Sequence, residues 1–470
     1  MNTKLIMAVM VNCLWASAGI AEAQMMFPKV NRDSLNALTS ADYADMKSKL
    51  GLKELRPGKD GYSTDPVIGA NYDEFIANPY LNYPDPLVTF DGKKVKNSKM
   101  WFGKRRPELV KVFEDEFYGH IPSSVPSVSW RVVKEEHTLI GNVPCISRQL
   151  AGEVDNSEYP SVSVTIQAEV VWPEKAGRNI PVIMEFSYML GNFSMAAPQG
   201  AKNKPWKEQV VERGWAACTI VPTSYQADGG HGLRNGIIGL CNHGNYRKPD
   251  DWGVIRAWAW GASKLVDYFE TEPLFDASKV AVEGNSRYGK TALVAAAFDE
   301  RIASAFVSSS GKGGSAPWRR YCGETVENIA ADSEYHWMAG NFLKYAADPL
   351  NASDMPVDQH ELLALCAPRP ILISGGLPSA DRWQDIMGMY ICTTLASPVY
   401  ELLGVRGLSY GYGEEKDESV CVRTDIFPGV NVGLMGGRLA FRMHDGGHEP
   451  GPNWPYFLDF FDRFVVNVSE

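Results

Sequence analysis

The stretch 280–290 reads Val-Ala-Val-Glu-Gly-Asn-Ser-Arg-Tyr-Gly-Lys, and it constrains the fold more than any other part of the chain. A buried strand (280–284) stops at a glycine. A serine follows two residues later, and a helix of small residues (290–299) starts almost at once. Such a turn lifts a serine hydroxyl to the top of a sheet, beside helical N–H groups that can stabilise an oxyanion. Ser286 is therefore the candidate nucleophile. The usual form of the turn has glycine two residues after the serine; here Tyr288 holds that place and Gly289 follows. The competing reading is an ordinary strand-to-helix turn whose serine caps the helix.

Around this turn, strands and helices alternate. Periodicity predicts strands at 128–133, 143–150 and 162–171, an antiparallel opening. Strands follow at 180–186, 216–221, 305–309, 370–374 and 439–443. Helices are expected at 106–118, 207–213, 252–270 and 454–465, with Val254, Trp258, Leu265 and Phe269 as the apolar stripe of the third. The alternation implies an α/β fold, a mostly parallel sheet with helices on both faces. Residues 24–95 are rich in Pro, Asn, Tyr and Asp and contain one short helix at about 41–50. They read as an extension wrapping the main body, which runs from 96 to 470.

Lys4, an apolar run over 5–15 and Ala21-Glu22-Ala23 before Gln24 form the pattern of a secretory signal peptide, residues 1–23. The run is too short for a membrane anchor. The chain is expected to be exported, periplasmic or secreted. Export permits disulfides, but removal of Cys13 leaves seven of the eight cysteines, so at least one thiol stays free. A net charge of -10 argues against nucleic-acid or anionic-membrane partners held by bulk electrostatics.

A serine nucleophile needs a base, and the order serine, acid, histidine places it after the last strand. His444 and His448 both qualify. His448 is preferred because it lies in the glycine-rich loop before the final helix. A zinc reading of the pair fails because Gly446-Gly447 is a poor helix interior. The acid belongs on a loop at the same sheet edge. Asp381, after strand 370–374, is the first choice and Asp385 the second.

These residues carry a resemblance. Gly284-Asn285-Ser286-Arg287-Tyr288-Gly289-Lys290 resembles the G-x-S-R-x-G-K signature of glucuronoyl esterases, carbohydrate esterase family 15, nearest to the bacterial branch. Similarity continues through Asp251-Trp252-Gly253, Ala257-Trp258-Ala259-Trp260-Gly261, residues 320–328, Pro356-Val357-Asp358-Gln359-His360, Gly446-Gly447-His448 and residues 457–460. The resemblance implies an α/β-hydrolase without cofactor or metal. It implies cleavage of the ester between a (4-O-methyl)glucuronic acid carboxyl and an alcohol, as in lignin–glucuronoxylan links. Ser286 would be the nucleophile, His448 the base and Arg287 an oxyanion partner. Lys290, Glu324 and Trp383 would contact the uronic sugar. The expected partner is this polymer substrate, with the enzyme acting as a monomer.

One departure matters. Many relatives carry the acid, a Glu, in an E-S-G-x-G-G context, where this chain has Ser309 in Ser308-Ser309-Ser310-Gly311-Lys312-Gly313-Gly314. Some bacterial relatives instead place an Asp where Asp381 stands. Two other functions stay open on the sequence: a different carbohydrate esterase such as a xylan deacetylase, and a non-catalytic carbohydrate-binding relative.

Overall fold

A computed structural model describes residues 31–191, 204–409 and 427–467. The expected signal peptide and Cys421 lie outside them. Ten described strands form one sheet. They are β1 (Val128–Ile140), β2 (Val143–Val154), β3 (Thr165–Pro173), β4 (Ile180–Phe186), β5 (Ala216–Val221), β6 (Phe275–Asn285), β7 (Ser304–Ser308), β8 (Ile371–Gly375), β9 (Gly433–Leu434) and β10 (Leu439–Met443). Their spatial order is β1-β2-β3-β5-β4-β6-β7-β8-β10-β9. The first three strands and the β3–β5 pair are antiparallel, and β5 through β10 in that order form a parallel block. This is the expected α/β arrangement with an antiparallel start.

Both faces of the parallel block are covered, which is why its strands read as apolar runs rather than alternating ones. Val182, Met184, Val280, Val282, Ala305 and Val307 pack toward the helices Val254–Thr271 and Arg287–Phe298. Ile183, Ala281, Phe306, Leu372 and Ala440 face the other way, under Trp454, Phe457 and Val210 of the helices Trp454–Phe461 and Trp206–Glu212. The stripe Val254, Trp258, Leu265 and Phe269 is buried as the periodicity predicts.

Several boundaries move. The first helix runs over Arg32–Lys49, not 41–50, because Asn31 caps it by accepting from the Ser34 N–H (3.3 Å). The third predicted helix starts at Val254 rather than 252. A Cβ on Gly253 would lie 2.2 Å from the Trp337 carbonyl, so the chain must pass closely there before turning into the helix. The helix Ile386–Leu402 has no periodicity to mark its extent: it is buried on most sides, so it shows no polar face, and it contains Pro398. The six described cysteines are free thiols. No described helix is long and apolar enough to cross a membrane.

Residues 50–97 hold little regular structure and are fastened by side chains. Arg56 reaches Glu327 Oε1 (3.0 Å) and the carbonyls of Tyr345 (2.6 Å) and Leu350 (2.9 Å).

Candidate active site

Four adjacent strand ends, those of β6, β7, β8 and β10, build the site. Ser286 sits between β6 and its helix at φ 61 and ψ -128, a conformation that costs a non-glycine residue about 1–3 kcal/mol. The surrounding bonds hold it there. Its N–H donates to the Ser308 carbonyl (3.0 Å) and its carbonyl accepts from the Lys290 N–H (3.0 Å). The glycine spacing now has a reason. A Cβ on Gly284 would lie 2.0 Å from the Tyr288 carbonyl oxygen, and one on Gly289 would lie 2.5 Å from the Ser308 carbonyl oxygen. The helix thus approaches β7 closest at position 289. Position 288 points into the core, where the Tyr288 ring packs on Tyr188 and Trp258 (4.8 and 5.3 Å between centroids).

Asp381 and His448 come together. His448 Nδ1 lies 2.7 Å from Asp381 Oδ1. This contact favours the tautomer with the proton on Nδ1 and leaves the Nε2 lone pair available as a base. Asp381 is buried, whereas the His448 side chain is 39% exposed. The other carboxylate oxygen accepts from Ser309 Oγ (2.6 Å) and from the Gly376 N–H (3.1 Å). Ser309 follows the residue whose carbonyl receives the Ser286 N–H, so bonded contacts run from Ser286 through β7 to Asp381 and His448. His444 is engaged elsewhere: its Nδ1 accepts from the Gly446 N–H (2.9 Å) and its Nε2 meets the Glu449 carbonyl (2.9 Å). Asp385 is structural as well. It caps the helix Ile386–Leu402 and pairs with Lys312 (3.1 Å) and Arg320 (2.8 Å).

The cations form a cluster beside Ser286. Lys290 is buried, and its Nζ donates to Glu324 Oε2 (3.0 Å) and the Ser310 carbonyl (2.9 Å). Glu324 is buried too, and its N–H donates to the Trp383 carbonyl (3.0 Å). Neither charge of this pair is left to solvent. The Arg287 side chain, 37% exposed, is held by Asp228 and lies over the Trp337 ring (5.2 Å). Asp228 also meets His336 Nε2 (3.0 Å) and accepts from Trp337 Nε1 (2.8 Å). Burial pushes the Asp228 carboxyl up, but the His336 bond and the Arg287 charge outweigh it and hold it well below the usual range. Arg287 thus stays near the nucleophile with a fixed counter-ion behind it.

A family profile described as "Glucuronyl esterase, fungi" matches residues 239–404. Carbohydrate esterase MZ0003, from an unknown prokaryotic organism, is 31% identical over 436 residues, covering 86% of this chain and 94% of that one. The 4-O-methyl-glucuronoyl methylesterase 1 of Wolfiporia cocos is 36% identical over 352 residues, 73% and 77% of the two chains. The solved glucuronoyl esterase of Teredinibacter turnerae T7901 superposes with a TM-score of 0.82 at 39% identity, covering 90% and 99%. The chain belongs to carbohydrate esterase family 15, the glucuronoyl esterases. It is an esterase with the α/β-hydrolase fold.

The esterase also holds residues that the sequence reading missed. Asp228 is one. Glu334 is another: its Oε2 is buried without a hydrogen-bond partner among the described residues. Burial, and then repulsion from Glu324, pushes its carboxyl up to about 8. A protonated acid beside Lys290 and Arg287 can both donate to and accept from a sugar hydroxyl. Neither residue sits in a recognisable local pattern, but Glu334 lies ten residues after Glu324 and could have been weighed with it.

Proposed function

We propose that this esterase hydrolyses (4-O-methyl)glucuronoyl esters of the kind that join lignin to glucuronoxylan, through Ser286, His448 and Asp381. The observation that carries the reading is the Asp381–His448 hydrogen bond at the sheet edge that also presents Ser286. Ser286 Oγ attacks the ester carbonyl carbon while His448 Nε2 takes its proton. The carbonyl oxygen gains the charge, met by the first N–H groups of the helix Arg287–Phe298, which lack intrahelical acceptors, and by the Arg287 guanidinium. The C–O bond to the alcohol breaks, and His448 returns the proton to the departing alkoxide. Water then loses a proton to His448 and attacks the glucuronoyl-serine. Collapse frees glucuronic acid and restores the serine hydroxyl.

Lys290, Glu324 and Trp383 contact the uronic ring in this reading, and Glu334 adds a neutral carboxyl. The protein acts as a monomer after export and loss of residues 1–23. Supplying benzyl glucuronate and an acetylated xylo-oligosaccharide to the purified enzyme tests the acyl specificity. The expected result is a kcat/KM at least about a hundredfold higher on the glucuronate, the discrimination that a site built to bond sugar hydroxyls gives. Equal or inverted rates assign the scaffold to deacetylation instead.

A further inference from the structure

The segment from Gly58 to Asn78 lies outside the region matched by the fungal profile, yet it is bonded to the loops that carry the proposed sugar contacts. The Lys59 N–H donates to Asn328 Oδ1 (3.1 Å), and Asn328 Nδ2 donates back to the Lys59 carbonyl (2.9 Å). The Gly323 N–H, next to Glu324, donates to the Asn71 carbonyl (2.9 Å). The Gly61 carbonyl accepts from Arg382 Nη2 (3.0 Å) and from the Tyr72 hydroxyl (3.1 Å), and the Arg382 guanidinium lies over the Tyr72 ring (4.4 Å). Arg382 immediately precedes Trp383.

Gly61 itself touches the indole. A Cβ built on it would lie 2.7 and 2.9 Å from Trp383 Cε3 and Cζ3, and 3.2 Å from the Tyr72 hydroxyl oxygen. Its φ is outside the left-handed region, so the backbone does not require glycine. What requires it is the approach of a rigid, partly exposed ring. On the other side, the Trp383 carbonyl accepts from the Glu324 N–H (3.0 Å), and Gly323, at φ 60, leaves that carbonyl room. The backbone of Trp383 is therefore tied to the Glu324 loop while its indole rests against Gly61 of the extension.

We infer that the turn at Gly61 is the outer wall of the sugar site, and that Gly61 is a positioning residue that sets uronate specificity by fixing the plane of Trp383. The inference rests on the reading of Trp383 as a uronate contact. Any side chain at position 61 displaces the indole, because its first carbon would already overlap the ring and meet the Tyr72 hydroxyl beside it.

The test uses the full exported chain with G61A, W383A, the double variant and G177A, a control site with open space around its Cα. Steady-state constants are measured on benzyl glucuronate and on p-nitrophenyl acetate, whose acyl group carries no sugar. G61A should raise KM on benzyl glucuronate about tenfold with kcat within about twofold, since misplacement of a contact weakens binding before chemistry. Both constants on p-nitrophenyl acetate should match those of G177A. In the W383A background, G61A should add nothing to the loss of kcat/KM. An unchanged KM, an equal loss on both esters, or effects of G61A and W383A that simply add overturns the wall. An unsubstituted enzyme that cleaves p-nitrophenyl acetate but not benzyl glucuronate overturns the uronate reading itself, and the inference with it.

Discussion

Ser309 stands where the family resemblance implies a Glu, and it touches the proposed acid. Its hydroxyl donates to the Asp381 oxygen that does not face His448. The acid and the residue at position 309 thus form one unit across β7 and β8. Removing a hydrogen bond to a charged group costs about 1.5–3 kcal/mol. S309A should therefore lower kcat about ten- to a hundredfold on benzyl glucuronate and leave KM unchanged, as steady-state kinetics will show. Glu334 makes a second prediction at this scale. Its carboxyl is protonated below about pH 8 and charges above it, next to Glu324. KM for the glucuronate ester should rise as pH passes 8. A KM profile that stays flat in E334Q across that range checks the assignment, and a wild-type profile that is already flat contradicts it.

Among the elements, β4 and β6 carry an unusual pair. Glu185 and Glu283 are direct neighbours across the parallel ladder, and Glu283 Oε1 is buried without a partner among the described residues. The nearby cation, Lys207, already pairs with Glu169 (2.8 Å). Burial, only partly offset by Lys207 and the Trp206 bond, pushes Glu185 up to about 7. Burial, and then Glu185 itself, raises Glu283 further. Both carboxyls therefore keep protons that the unfolded chain, whose glutamates titrate near 4.5, has lost. Stability should fall as pH rises above about 4.5, by about 1.4 kcal/mol per unit for each retained proton, and keep falling past 7 because Glu283 ionises after Glu185. Urea unfolding at several pH values should show this slope, and E283Q should reduce it.

The same elements show what the sequence made legible. The strands of the parallel block were readable because both of their faces are apolar, and Ser286, Asp381 and His448 because each follows a strand end. The burial of Lys290 against Glu324 was not readable, since a charge pair 34 residues apart has no local signature. Nor was the hub at Asp228, whose partners His336 and Trp337 lie more than 100 residues away. The extent of the helix Ile386–Leu402 was not readable for the opposite reason: a segment buried on most sides loses the periodicity that marks a helix.

At the scale of the molecule, a net charge of -10 surrounds a site whose chemistry is cationic. Each site cation has its own anion, Asp228 for Arg287 and Glu324 for Lys290, so overall charge and local field are decoupled. Residues 50–97 likewise belong to the frame of the site: Arg56, Lys59 and Gly61 touch Glu327, Asn328 and Trp383 on one side of the proposed sugar site. Whether the strained Ser286 performs ester hydrolysis on a glucuronoyl group is decided by the release of benzyl alcohol from benzyl glucuronate by the intact enzyme and by S286A. Steady turnover by the former is expected, with a loss of about ten-thousand-fold or more in kcat for S286A at the same unfolding midpoint. Undiminished turnover by a folded S286A would contradict that role of Ser286.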